Sequence, residues 1–258
     1  MPERPNRIKE TTVIQVKDVR LERPIMVEGL PGVGHVGKLV AEHMVEELNA
    51  EKIIEIYSPH FPPQVLVADD GTVKLVRNEV YADQKHNLLL LIGDYQSVTS
   101  EGHYELTEVY LDIVERYGAK RIYTLGGYGI GQLIDKPRVL GAANKPELVD
   151  EMKKYGVEFK EKEPGGGIIG ASGLILGLGK LRGIEAVCLM GETSGYLVDP
   201  KSAQAVLRVL SKILGIDIDM SALEKRAKDM EKIVAKLREM EKAHAKPITA
   251  EEDLRYIG

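Results

Sequence analysis

Cysteine is almost missing from this chain: Cys188 is the only one in 258 residues. That excludes an intrachain disulfide and any thiolate cluster for zinc. Its setting, EAVCLMG, predicts a small buried core residue. Histidine is scarce too, and none of His35, His43, His60, His86, His103 and His244 forms the H-x-x-x-H spacing of a metal pair. No block of basic residues occurs; the formal charge is −5 and the pI is about 5.8, which argues against nucleic acid as the main partner. The longest apolar stretch, GIIGASGLILGLG, is diluted by glycine and falls short of the roughly 20 residues of a spanning helix. The start, MPERPNRIKE, carries no apolar signal region, so the expectation is a cytoplasmic protein without a membrane partner. Tryptophan is absent while Glu and Lys abound, a composition that hints at a thermophile.

What is present is an alternation of β-rich runs and helical patterns. TTVIQV (11–16), PIMVEG (24–29) and KIIEIY (52–57) read as strands, and 36–48 as a helix with Val36, Leu39, Val40, Met44 and Leu48 on one stripe. QVLVADDGTVKLV reads as a hairpin turning at Asp70-Gly71. NLLLLIGD (87–94) is apolar on every side, as in a strand covered on both faces. Then follow a helix at 104–118, the strand KRIYTLGG (120–127), a helix near 145–155, a glycine-bearing helical run after EPGGGIIGASG, the strand EAVCLMGE, and a helix opened by Pro200 and closed at Gly215. This order predicts a three-layer α/β/α domain over residues 1–220, its central sheet made mixed by the hairpin.

From Ser221, a candidate N-cap, to His244 the chain is highly charged with a narrow apolar seam: Leu223, Ala227, Met230, Val234 and Leu237. Their spacing of four, three, four and three is coiled-coil-like, and the helix 221–244 would be about 36 Å long. Such a seam cannot bury itself alone: it packs on its own domain or on sister subunits, and the second option makes it the candidate oligomerisation element. Pro247 ends the helix, and 245–258 reads as a flexible tail with apolar residues near its tip.

The loop GLPGVGHVGKL (29–39) matches two ligand patterns. Gly32, Gly34 and Gly37 fit the dinucleotide fingerprint, with Glu55 near the position of a ribose-binding acid. Gly32, Gly37 and Lys38 fit the start of a phosphate loop, but Leu39 stands where the metal-binding hydroxyl belongs. The competing reading is that the glycines let a helix pack close to the sheet. His103 with Asp94 is the best acid–base candidate. Ser172 in GASGL approaches a nucleophile elbow but lacks its last glycine, and Ser194 reads as a turn residue. No convincing catalytic set, cofactor site or metal site emerges.

Four stretches carry a resemblance that runs in order over about residues 10–240. They are GLPGVGHVGKLVAEHMVEEL, LLLLIGDYQ with YELTEVYLDIVERYGAKRIYTLGGYG, IIGASGLILGLGKLRGIEAVCLMGETSGYLVDPKSAQAVLRVLSKILG, and IDIDMSALEKRAKDME. Together they resemble the archaeal branch of the proteasome assembly chaperone family. The resemblance implies an α/β fold of phosphorylase- or hydrolase-like topology used as a binding scaffold, a homo-oligomer, and tails that touch the proteasome core particle. It places Leu254, Tyr256, Ile257 and Gly258 as partner-binding residues. The chain departs from the hydrophobic–Tyr–any ending of such tails, since Tyr256 stands one position early. The expected function is therefore a non-enzymatic, homo-oligomeric chaperone or adaptor. Its partners would be the core particle or another proteasome-assembly-chaperone-like protein. The alternative is a nucleotide- or phosphate-binding enzyme using the Gly32–Gly37 loop.

Overall fold

The computed structural model describes residues 7–159, 167–230 and 232. The elements are β1 (Thr12–Gln15), β2 (Ile25–Gly29), a 3-10 turn (Val33–His35), α1 (Val36–Glu47), β3 (Glu51–Tyr57), β4 (Val65–Val67), β5 (Val73–Leu75), β6 (Asn78–Asp83), β7 (Leu88–Gly93), α2 (Ser100–Arg116), β8 (Arg121–Gly129), β9 (Val139–Ala143), α3 (Pro146–Lys153), α4 (Ala171–Leu181), β10 (Glu185–Thr193) and α5 (Pro200–Leu214). Residues 221–230 form a further helical segment.

Eight strands build one sheet in the order β1-β3-β6-β7-β2-β8-β10-β9. Its centre, β7-β2-β8-β10, is parallel. Side chains alternate across it with the period of two that a strand imposes. Leu89 and Leu91 of β7, Met26 of β2 and Cys188 of β10 join the core that packs under α2 and α4. Leu88 and Leu90, Val27 and Val187 join the opposite core under α1 and α5. Every residue of β7 is buried, which is why NLLLLIGD shows no alternation. The result is three layers with a mixed sheet.

The sheet is not mixed for the reason the sequence suggested. The hairpin β4–β5 forms a separate two-stranded sheet. The antiparallel members are β1, β3, β6 and β9. Two of these, β6 and β9, have no clear sequence signature. In β6 the buried positions include Asn78 and Asp83, so polarity hides the pattern. In β9 Gly141 interrupts the apolar run because a Cβ there would collide with Phe159 and Val157. Helix α2 also starts earlier than expected: Thr99 caps it by accepting from the Gly102 amide at 3.1 Å.

Helix α1 is seated by glycine. A Cβ on Gly29 would strike Gly37, and one on Gly37 would strike the Leu125 carbonyl. The helix backbone thus lies directly on β2 and β8. Gly37→Ala should lose at least about 2 kcal/mol of stability, because neither backbone can yield locally. Urea denaturation of the variant measures this, and a loss below 0.5 kcal/mol, of the order seen on a free surface, would mean the contact is loose.

Candidate functional site

The carboxyl ends of β2 and β7 point at the place where α/β sheets usually bind ligands. The chain leaves β2 toward α1 and leaves β7 toward α2, on opposite faces of the sheet. A cleft of about 480 Å³ opens there, lined by Pro31, Gly32, His35, Lys38, Leu66, Asp94 and Tyr95. The glycine loop forms one wall. Gly34 (φ 62) and His35 (φ 52) are left-handed, and a 3-10 turn stands between strand and helix. A side chain on Gly34 would meet Thr193, whereas Gly32 faces open space with φ −157. Close packing thus accounts for Gly34 and Gly37, and no such need fixes Gly32.

The charged groups of the cleft are already engaged. Lys38 Nζ donates to the Gly93 carbonyl at 2.9 Å and pairs with Glu42 at 2.7 Å. Asp94 accepts from the Arg77 amide at 3.1 Å and faces Lys74 Nζ at 3.5 Å. Glu55 fails as a ribose ligand for a topological reason: β6 and β7 stand between its strand, β3, and β2. It is buried and held by Lys52, Tyr57 and Arg77, which keep its carboxyl below the usual range despite the cost of burial.

Beneath the loop lies a polar centre that the sequence did not announce. Glu28, fully buried, accepts from the Leu30 amide at 3.0 Å and from Ser172 Oγ at 2.9 Å. Burial outweighs these bonds and raises its carboxyl to about 7. Ser172 is therefore an anchor for the first turn of α4. The neighbouring Cys188 is buried as predicted, and its thiol is pushed up to about 12 by desolvation. A raised carboxyl means the folded state holds the proton more tightly than the unfolded chain, so stability falls as pH rises from about 4.5 through 7. Glu28→Gln removes that dependence. Its unfolding free energy relative to the parent should rise by on the order of 3 kcal/mol between pH 4.5 and 8. Denaturant titrations at both pH values test this; a constant difference would show an ordinary carboxyl.

His103 and Asp94 are not joined by a hydrogen bond, and burial lowers the His103 imidazole below its usual value. The histidine set between a carboxylate and a hydroxyl is His60, with Nδ1 2.8 Å from Thr99 Oγ1 and Nε2 3.2 Å from Glu105. Thr99 is spent on capping α2, so this chain of groups ties the start of α2 to the loop after β3. His43 is buried and bonds the Asp219 carbonyl at 2.6 Å. Ser194 is buried, its Oγ accepting from the Tyr196 amide at 3.4 Å, as a turn residue does. No group of three or more His, Cys, Asp or Glu suited to a metal occurs among the described residues. No described helix is long and apolar enough to cross a membrane.

The C-terminal seam divides. Leu223 and Ala227 are buried within the chain, Leu223 in the core it shares with α1 and α5. Of the five residues expected to form the seam, these two pack on their own domain, one of the two ways it could be covered. Met230 is half-buried. The Ser221 cap is likewise replaced, since Asp219 accepts from the Ser221 amide at 2.9 Å. Val234, Leu237 and the tail residues Leu254, Tyr256, Ile257 and Gly258 lie outside the described residues.

These features define an α/β scaffold whose ligand-site position holds structural pairs. A model of the PAC2 family matches residues 26–238, and the chain belongs to that family. It is 46% identical over 251 residues to the uncharacterized protein MJ1210 of Methanocaldococcus jannaschii, covering 95% of this chain and 96% of the relative. Among solved structures it is similar to Pyrococcus furiosus PbaB, an archaeal proteasome activator, at 44% identity and a TM-score of 0.84, covering 90% of this chain and 100% of that one. It is also similar to P. furiosus PbaA, an archaeal homolog of proteasome-assembly chaperone, at 28% identity and a TM-score of 0.76, covering 92% of this chain and 95% of that one. The resemblance to archaeal proteasome assembly chaperones is thereby met.

Proposed function

We propose that this protein is a proteasome-associated chaperone or adaptor that acts by binding and makes or breaks no covalent bond. The likeness to PbaB, 44% identical over nine-tenths of the chain, carries this reading. The structure supports it through the engaged state of its charged groups: Lys38, Asp94 and Glu55 each serve a partner within the fold. In this reading the chain is a cytoplasmic homo-oligomer. Met230, Val234 and Leu237 continue the seam that Leu223 and Ala227 root in the domain, and offer it to a sister subunit. Leu254, Tyr256, Ile257 and Gly258 form the contact tip toward the core particle, and several copies on one oligomer would bind with avidity.

Removing the tail tests the contact. A chain ending at Ala245 should recover at least tenfold less core particle in a pull-down than the full chain; equal recovery would place the contact elsewhere. A second reading, a nucleotide- or phosphate-binding enzyme, is favoured by the 480 Å³ cleft beside Gly32. A ligand at 100 times its dissociation constant stabilises a fold by about 2.7 kcal/mol, so melting curves with NAD, ATP, nucleosides and phosphate decide the matter. The chaperone reading expects no shift.

A further inference from the structure

Glu28 stands near the end of β2 with its side chain on the face of Met26, under α2 and α4. The Leu30 and Leu125 amides beside it donate and never accept, while the Ser172 hydroxyl does either. A neutral Glu28 therefore has one place for its own proton, Ser172 Oγ, and that bond reverses when the proton leaves. Its register partners on β7 and β8 are Leu91 and Thr124, neither of them ionisable. The titratable neighbours are Tyr110 on α2 and Cys188 on β10, and burial holds both in their neutral forms. Among the described residues no cation balances an ionised Glu28. A buried carboxylate without a counter-ion is costly and is relieved by reaching water.

The softest wall around this acid is the start of α4. Strands β2, β7, β8 and β10 are each paired on both sides, and Tyr110 lies in the middle of the 17-residue α2. The first turn of α4 is tied by side-chain bonds: Ser172 to Glu28, the Ala171 amide to Gln96 Oε1 at 3.0 Å, and Thr124 Oγ1 to the Ser172 carbonyl at 3.4 Å. Gln96 also donates to the Pro31 carbonyl at 2.7 Å, so it clasps this turn to the glycine loop. Glycine surrounds the clasp. Gly167 and Gly170 have φ 101 and 87, a Cβ on Gly170 would strike Gln96, and Gly173 sits inside the turn. Glycine favours a hinge over a fixed helix start. Further along, Ile175 and Leu176 fasten α4 to the core, which limits the motion to the first turn.

We infer that the first turn of α4 is a proton-controlled latch: with Glu28 neutral it stays clasped, and with Glu28 ionised it swings off the sheet and lets water reach the carboxylate. The opened turn moves Ile168 and Ala171 into solvent beside Ile169, already 93% exposed, so the proton sets how much apolar surface this end of the sheet presents. The sign follows from linkage. The closed site raises the carboxyl to about 7, and the opened turn returns it toward 4.5, so opening grows as pH rises from about 4.5 to 7 and levels off above.

Hydrogen exchange of the full chain, read by mass spectrometry, tests the latch, with each rate divided by the free-peptide rate at that pH. Peptides covering 170–176 carry the Ala171 and Leu174 amides, which bond Gln96 and the Gly170 carbonyl. Their protection should fall roughly tenfold or more between pH 5 and 8. Low urea should not change it, the mark of a local opening, whereas β7 amides exchange by global unfolding and quicken with urea. In Glu28→Gln the side-chain amide donates to Ser172 as the neutral acid does, so protection of 170–176 should be the same at both pH values. Gln96→Ala should lower it at both. A flat profile in the parent, a profile that persists in Glu28→Gln, or exchange of 170–176 that follows urea as β7 does overturns the inference. Where Glu28→Gln does not fold, the parent's pH and urea profiles decide.

Discussion

The structure depends on how closely α1 lies on the parallel strands. With glycine at 29 and 37, backbone meets backbone, and a Cβ at position 37 would collide with the Leu125 carbonyl. This approach allows Val36, Val40 and Met44 to reach the sheet and be buried completely beside Val27, Leu90 and Leu125. It also dictates the loop above. To bring the helix in at that height the chain needs a 3-10 turn with two left-handed residues, Gly34 and His35. The same glycines that spell a nucleotide motif are accounted for by steric demand, most firmly at Gly34 and Gly37. Motif and packing requirement coincide because both ask for a backbone stripped of side chains at a strand-to-helix turn.

Elements whose side chains obey a simple burial rule were legible in the sequence. Strand β7 is apolar throughout because both its faces are covered, and α5 carries its Pro200 start and Gly215 stop, the latter at φ 67. The elements that escaped break the rule for identifiable reasons. Strand β6 buries Asn78, which binds Tyr110 across the core: the Tyr110 hydroxyl donates to its amide oxygen at 2.6 Å, and its NH2 donates to the Arg77 and Tyr95 carbonyls. The hairpin was visible as a pair of strands, since that pairing is local. Where it docks depends on Leu66 and Lys74 meeting distant residues, which no local pattern encodes.

The same distinction governs the polar groups. Ser172 looked like a damaged nucleophile motif, but its partner, Glu28, lies 144 residues away in sequence. His60 looked unremarkable because Thr99 and Glu105 are 39 and 45 residues from it. One signal was available: Glu28 interrupts an apolar strand, and an acid at such a position must either find donors or keep its proton. It does both, with Leu30, Ser172 and Leu125 as donors and a raised carboxyl. A charged residue inside an otherwise apolar run is thus a better guide to this interior than either glycine motif.

The usual ligand end of the sheet engages its polar groups and exposes its apolar ones. Its charges are neutralised locally, whereas its apolar side chains are left in water. Apart from Val13, Val16 and Leu181, the strongly exposed large apolar residues among those described belong to the hairpin, to segments that follow β2, β7, β8 and β10, to the first turns of α2, or, as Ile169, to the approach to α4. A catalytic pocket needs the reverse, free polar groups inside a shielded cavity. The C-terminal seam meanwhile is rooted in the other core layer, where Leu223 packs with α1 and α5 residues while Leu66 of the hairpin packs under α2 and α4. The seam and the hairpin are therefore held by opposite sides of the sheet, so a contact at one would leave the surface of the other free.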